Sequence, residues 1–197
     1  MKFQKLFVIA VIVCLLMGAS SVALARNDCA EGSLVGGTYD EIVIDEFASC
    51  SIVGVKVTGN VTVRDSDQFN MLSSLVEGTV RVTNTVSAVL MDNQINSGNL
   101  VARGNAESYV LRNVVVGGTI RVNDDASGGE FEQQQFAAVL QNLILSGNLR
   151  VNGNEKADVK ENKVTDGDIT CRQNDRLDSK DNDAFGGTVD CSASLTE

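Results

Sequence analysis

The 197-residue chain contains no proline, no tryptophan and no histidine, and only 5% of it is aromatic. Without histidine there is no Ser-His-Asp arrangement, and no phosphate-binding glycine loop is present, so the usual routes to hydrolysis and phosphoryl transfer are missing. The shortage of rings removes the platforms on which sugars and single-stranded nucleic acid stack. Basic residues are also scarce: 16 Lys+Arg stand against 26 Asp+Glu, a net charge of −10. That balance favours solubility and disfavours general binding to nucleic acid or anionic membrane. Beyond the first residues, no hydrophobic segment is long enough to span a bilayer.

Residues 1–25 read as a secretory signal peptide. Lys2 and Lys5 precede an apolar run from Leu6 to Met17, and Ala23-Leu24-Ala25 supplies an A-x-A cleavage site. The run is too short for a membrane anchor. Bulky Val13 before Cys14 disfavours a lipoprotein anchor. Cleavage after Ala25 removes two lysines and no acid, leaving 14 Lys+Arg against 26 Asp+Glu, a net charge of −12 on an exported protein, periplasmic or extracellular. The remaining residues 26–197 make a single domain.

What the chain has in abundance is repetition. One local phrase recurs around Gly59, Gly78, Gly98, Gly118, Gly147, Gly167 and Gly187, in steps of 19, 20, 20, 29, 20 and 20 residues. A period of about 20 means a solenoid, and the long step marks an insertion near 126–135. Two residues after each glycine stand Val61, Val80, Leu100, Ile120, Leu149, Ile169 and Val189. Four after it stand Val63, Val82, Ala102, Val122, Val151, Cys171 and Cys191. Alternation with polar neighbours makes these the inward face of one short strand per coil. A second strand carries Leu90, Val110, Val139 and Val159 inward. Three residues before the glycine a further apolar column holds Leu75, Ile95, Val115, Ile144, Val164 and Ala184. Five residues before the glycine come Asn93, Asn113, Asn142, Asn162 and Asn182, the pattern of an asparagine ladder whose stacked amides bond to one another and to the backbone at a bend.

Four cysteines remain after processing: Cys29, Cys50, Cys171 and Cys191. Three pairings are open to them, and the repeat favours one. Cys171 and Cys191 occupy one column of adjacent coils, about 4.8 Å apart by strand spacing, and Cys29 and Cys50 also lie about one coil apart. The expected disulfides are therefore Cys29–Cys50 and Cys171–Cys191, an oxidising-compartment framework rather than a zinc site.

Coil length, inward aliphatic columns and the asparagine ladder resemble the right-handed parallel β-helix of the pectin-lyase-like superfamily, over about Gly37 to Cys191. The chain is also similar to small exported bacterial β-helix proteins with a cysteine near each end. The resemblance implies an all-β, right-handed parallel β-helix; it does not carry lyase chemistry with it.

Arg64, Arg81, Arg103, Arg121, Arg150 and Arg172 supply one outward arginine per coil, three or five residues after the glycine, alternating in most steps so that like charges are staggered. Two readings stand side by side. One is a cationic stripe for an anionic polysaccharide or lipopolysaccharide; the other is a solvated face whose arginine stems cover the strands. Asp124-Asp125, Asp166-Gly167-Asp168 and the run Asp175 to Asp183 read as turn residues rather than a calcium or glycosidase site. Thr79, Thr119 and Thr188 share a column with Asn60, Asn99 and Asn148, a polar ladder suggestive of ice binding, but interleaved arginines break its flatness. Outward Val89, Met91, Tyr109, Leu111 and Leu140 form an apolar patch, expected to be covered by Phe131 and Phe136 from the insertion, the alternative being a partner. The resulting expectation is an exported non-catalytic structural or binding module, with no cofactor, no metal and no nucleic-acid partner. The alternative is a small polysaccharide lyase or glycoside hydrolase.

Overall fold

The computed structural model describes residues 23–26, 29, 32–45, 49–123 and 136–191. Most of the leader, Asp124-Asp125, and the insertion with Phe131 lie outside the described residues. Ala23 to Arg26 form a strand parallel to Thr38–Asp45.

The described chain is a parallel β-solenoid with three faces. The first face follows each repeat glycine: after the distal half of Thr38–Asp45 come Val61–Arg64, Val80–Thr83, Leu100–Arg103, Ile120–Asn123, Leu149–Asn152, Ile169–Arg172 and Val189–Cys191. The second is an 8-stranded sheet of Gly32–Val35, Cys50–Val53, Gln68–Leu72, Ser87–Met91, Glu107–Leu111, Phe136–Leu140, Lys156–Lys160 and Arg176–Lys180. The third is built of short strands from Lys56–Val57 to Asp183–Ala184, joined to the first through Thr38–Asp45. Each coil passes from face to face through a corner, so its strands stack in parallel without crossover helices.

Alternation does the packing. On the first face the residues two and four after the glycine are buried from Val61 to Cys171, while their neighbours look outward. Phe69, Met71, Leu90, Val110, Val139 and Val159 fill the core from the second face. At about 25 cal/mol per Å² of apolar surface removed from water, this continuous core stabilises every interior coil, and each coil depends on its neighbours for it.

The corners keep the coils in register. Two of them share one local grammar: a residue in the left-handed region followed by a buried polar side chain. Before the asparagine ladder stand Ser73, Asp92, Arg112, Gln141, Glu161 and Asp181, with φ between 49° and 57°. That conformation costs a non-glycine residue about 1–2 kcal/mol; the buried ladder bonds offset it. Asn93 Nδ2 donates to Asn113 Oδ1 at 3.1 Å, Asn113 to Asn142 at 3.1 Å, Asn142 to Asn162 at 2.9 Å and Asn162 to Asn182 at 2.9 Å. Each Oδ1 also accepts the backbone N–H of the ladder residue one coil earlier, as Asn142 does from Asn113 at 2.9 Å. The ladder is thus a continuous rod of amide bonds.

The third corner is the glycine column itself. A Cβ on Gly78 would lie 2.5 Å from Gly59 O, and on Gly118 or Gly147 it would overlap the carbonyl of the glycine one coil before. The backbones pack glycine on glycine, which is why the phrase repeats. This corner also absorbs the odd residue of the 19-residue step. Val76, not Leu75, points inward, opposite Ile95, while Leu75 stands opposite outward Gln94. The expected column therefore shifts by one at its first member, because the corner from Val76 to Val80 is one residue tighter than that from Ile95 to Leu100.

Both disulfides form as the repeat predicts. Cys29–Cys50 has a Cα separation of 5.3 Å and Cys171–Cys191 one of 4.4 Å, each linking neighbouring coils near one end of the described solenoid. Ends have only one neighbour and fray first, so that is where a covalent tie contributes most.

Candidate polyanion-binding face

The first face carries all six arginines singled out in the sequence, and the register divides them into two files. Arg81, Arg121 and Arg150 share one column, with Val101 between the first two. Arg64, Arg103 and Arg172 share the next, interrupted by Thr83, Asn123 and Asn152. The stagger holds in most steps and breaks at one, where Arg121 and Arg150 both stand three residues after their glycine. Arg121 stands directly opposite Arg150, because the whole insertion lies between Asn123 and Phe136 and leaves the first-face register untouched. Adjacent strands place these like charges about 4.8 Å apart at the backbone, an arrangement that opposes sheet pairing.

The two ends of the second file meet acids; the first file does not. Asp45 stands opposite Arg64. Arg172 donates to the Asp190 carboxylate from Nε at 3.0 Å and from a terminal nitrogen at 2.6 Å. Arg103 is half-buried. Arg81, Arg121 and Arg150 are exposed, and among the described residues none of these three side chains makes a hydrogen bond or an ion pair. Asp168 feels the charge of Arg150. Its carboxyl is held below the usual carboxylate range first by the N–H and hydroxyl of Thr188, with the Arg150 charge a lesser contribution.

The neighbouring polar column, weighed as an ice-binding ladder, is spent on the fold. Asn60 Oδ1 accepts the Thr79 N–H at 2.8 Å, Asn99 that of Thr119 at 2.8 Å, and Asn148 that of Asp168 at 2.9 Å. Asp168 continues the series with both the N–H and the hydroxyl of Thr188. These side chains satisfy backbone donors of the next coil instead of presenting a regular array to solvent.

Sequence reading missed a second buried ladder, at the corner from the first face to the second. Seven residues after the glycine lie Ser66, Thr85, Asn105, Asn154 and Asn174, all buried. Asn105 Oδ1 accepts the Thr85 N–H at 2.9 Å, and Asn154 Nδ2 donates to Asn174 Oδ1 at 2.6 Å. The signal was a column that is small and polar in every described coil. Among the described residues no group of three or more His, Cys, Asp or Glu side chains is placed to hold a metal ion.

The fold defines a disulfide-tied parallel β-solenoid with six arginines on its first face. Compared with protein-family models, curated proteins and solved structures, the chain matches none.

Proposed function

We propose that this is an exported, non-catalytic binding module of pectin-lyase-like β-helix type, and that its first face holds an anionic surface polymer such as a uronate polysaccharide or lipopolysaccharide. The observation that carries this reading is the unpaired column Arg81, Arg121 and Arg150. A chain with 26 acids places two arginines directly opposite each other and gives neither an ion-pair partner among the described residues. The fold gains nothing from that juxtaposition, since like charges across a strand pair are destabilising. A line of carboxylates or phosphates along the solenoid axis relieves the repulsion and accepts charge-assisted bonds from successive guanidinium forks.

Two disulfides support an oxidising destination, and the basic-then-apolar leader supports export. That no described helix is long and apolar enough to cross a membrane fits this reading without adding to it.

Co-sedimentation with pectate, alginate and lipopolysaccharide at low and high salt tests the proposal. Binding is expected at low salt and is lost as the Debye length falls from about 30 Å to about 3 Å. Arg121→Ser with Arg150→Ser removes two exposed charge contacts of up to about 1 kcal/mol each, so affinity drops about 5- to 30-fold. Binding that survives both changes places the ligand elsewhere. Release of unsaturated or shortened oligosaccharide in the same tubes makes the protein an enzyme and overturns the non-catalytic reading.

A further inference from the structure

The outward side of the second face has two unlike halves. Its far column runs Val53, Leu72, Met91, Leu111 and Leu140 in strict register, then changes to Lys160 and Lys180. Val35, opposite Val53, begins the column and is 72% exposed. The last two rows show what this surface looks like when it meets water: Lys156, Asp158 and Lys160 on one strand and Arg176, Asp178 and Lys180 on the next, with an ion pair from Lys160 to Asp178. In the apolar half, the only charged outward residue among these strands is Glu107, whose carboxylate accepts the Tyr109 hydroxyl. Apart from Glu107, which stands opposite Ser87, its polar edge is uncharged, with Ser51, Gln68, Asn70 and Ser87.

We infer that this half of the second face pairs with the same face of a second copy of the chain about a two-fold axis. An isologous contact sets every residue against its own patch, so it requires a surface with almost no net charge. The apolar half meets that condition; the charged rows beyond Leu140 do not. An aliphatic centre with an uncharged polar rim is the anatomy of a protein interface. A lipid surface fits less well, because the basic residues that border the aliphatic column are engaged by acids: Arg112 is held bidentately by Asp92 at 2.7 and 2.8 Å, and Lys160, opposite Leu140, is ion-paired with Asp178.

Residues 124–135 lie outside the described residues, and their reach takes in Leu140, Leu111 and Met91 but not the start of the column at Val35 and Val53. Phe136 packs at the near edge, its ring 5.6 Å from that of Tyr109 and 5.1 Å from the Lys156 ammonium. Residues 124–135 leave and re-enter the coil between Asn123 and Phe136. Out and back, twelve residues extend about 20 Å. Val53 lies about 13 Å across the strand and about 19 Å along the axis from that point, a diagonal of about 23 Å. The leader is expected to be absent from the exported protein.

Six rows of four- or five-residue strands make a contact of at most about 24 Å by 17 Å, roughly 400 Å² flat on each copy. At about 800 Å² for the pair this falls below the roughly 1,200 Å² of stable specific interfaces, so the pairing is weak and transient, with a dissociation constant on the order of 10–100 μM. Such a pairing leaves both arginine faces free, and its failure has no bearing on polymer binding.

Sedimentation velocity of the purified protein from 1 to 500 μM tests the inference. Monomer at the bottom of that range and dimer at the top is expected. Leu72→Lys with Leu111→Lys, which extends the lysine column already present in this sheet, should weaken association at least 100-fold while the far-ultraviolet circular dichroism is unchanged. Should the lysine variant lose its sheet signal, Leu72→Thr with Leu111→Thr replaces it and should weaken association about 10-fold. Monomer at every concentration overturns the inference, as does a dimer that the folded variants leave intact. Dimerisation only after deletion of residues 126–135 overturns it too, by showing that the insertion occupies the face.

Discussion

Replacing Asn142 by alanine tests whether the amide rod is a structural necessity. Asn142 is buried, 1% exposed, and its side chain makes four bonds. Its Oδ1 accepts from the backbone N–H of Asn113 at 2.9 Å and from Asn113 Nδ2 at 3.1 Å. Its Nδ2 donates to Val110 O at 2.8 Å and to Asn162 Oδ1 at 2.9 Å. Alanine leaves Asn162 Oδ1 with the backbone N–H of residue 142, so that group keeps a partner. The Asn113 N–H and one Asn113 amide hydrogen lose theirs inside the core, and Val110 O, which lies in the sheet ladder, loses one of its bonds. At about 1–3 kcal/mol for each stranded buried group, with some mutual relaxation, the cost is about 3–6 kcal/mol. Asn182→Ala is the internal control. Its ladder position is half-buried at the last coil, where water can replace the lost partners, and a cost of about 1–2 kcal/mol is expected. Urea unfolding of both variants with disulfides intact gives the difference, and hydrogen exchange at the Asn113 amide shows whether the loss is local. If Asn142→Ala and Asn182→Ala cost the same, or Asn142→Ala costs under about 1 kcal/mol, the rod contributes little and the argument from stranded groups is wrong.

Neighbouring glycines should respond oppositely. A Cβ on Gly118 runs into Gly98 O, whereas on Gly117 it meets only Asn96 O at an ordinary 3.6 Å; Gly118→Ala is therefore expected to abolish soluble expression or cost more than about 3 kcal/mol, while Gly117→Ala stays within about 1 kcal/mol by thermal melt. Cys171→Ala with Cys191→Ala opens a loop of about 20 residues and should cost about 3 kcal/mol, confined to the last coil, so limited proteolysis should nick there while exchange at Asn93 and Asn113 is unaffected. The depressed carboxyl of Asp168 contributes stability that is present above its unfolded pKa of about 3.9 and lost as pH falls through the lower folded value. The Thr188 amide should lose exchange protection over that acid window in the native protein, and keep it in Asp168→Asn, whose side chain is the acceptor that Asn148 already supplies one coil earlier.

Much of the architecture could be read from one dimension, because a solenoid turns three-dimensional neighbours into positions about 20 residues apart. The glycine phrase, the inward aliphatics, the rung from Asn93 to Asn182 and both cysteine pairs are each a single column, and stacking at strand spacing leaves a column little freedom. The second ladder was as regular but mixed Ser, Thr and Asn, so residue identity hid what position revealed. Only the folded chain decided the register of the outward columns. That register depends on where extra residues are absorbed: the odd one at the third corner, which turns Val76 inward in place of Leu75, and the insertion at the first corner, which leaves Arg121 and Arg150, each three residues after its glycine, face to face. A one-residue displacement reverses which side of a sheet a residue faces. The sequence by itself determined the solenoid and its ladders; which charges stand unpaired together, and where the aliphatic column ends at Lys160, was decided by the tertiary structure.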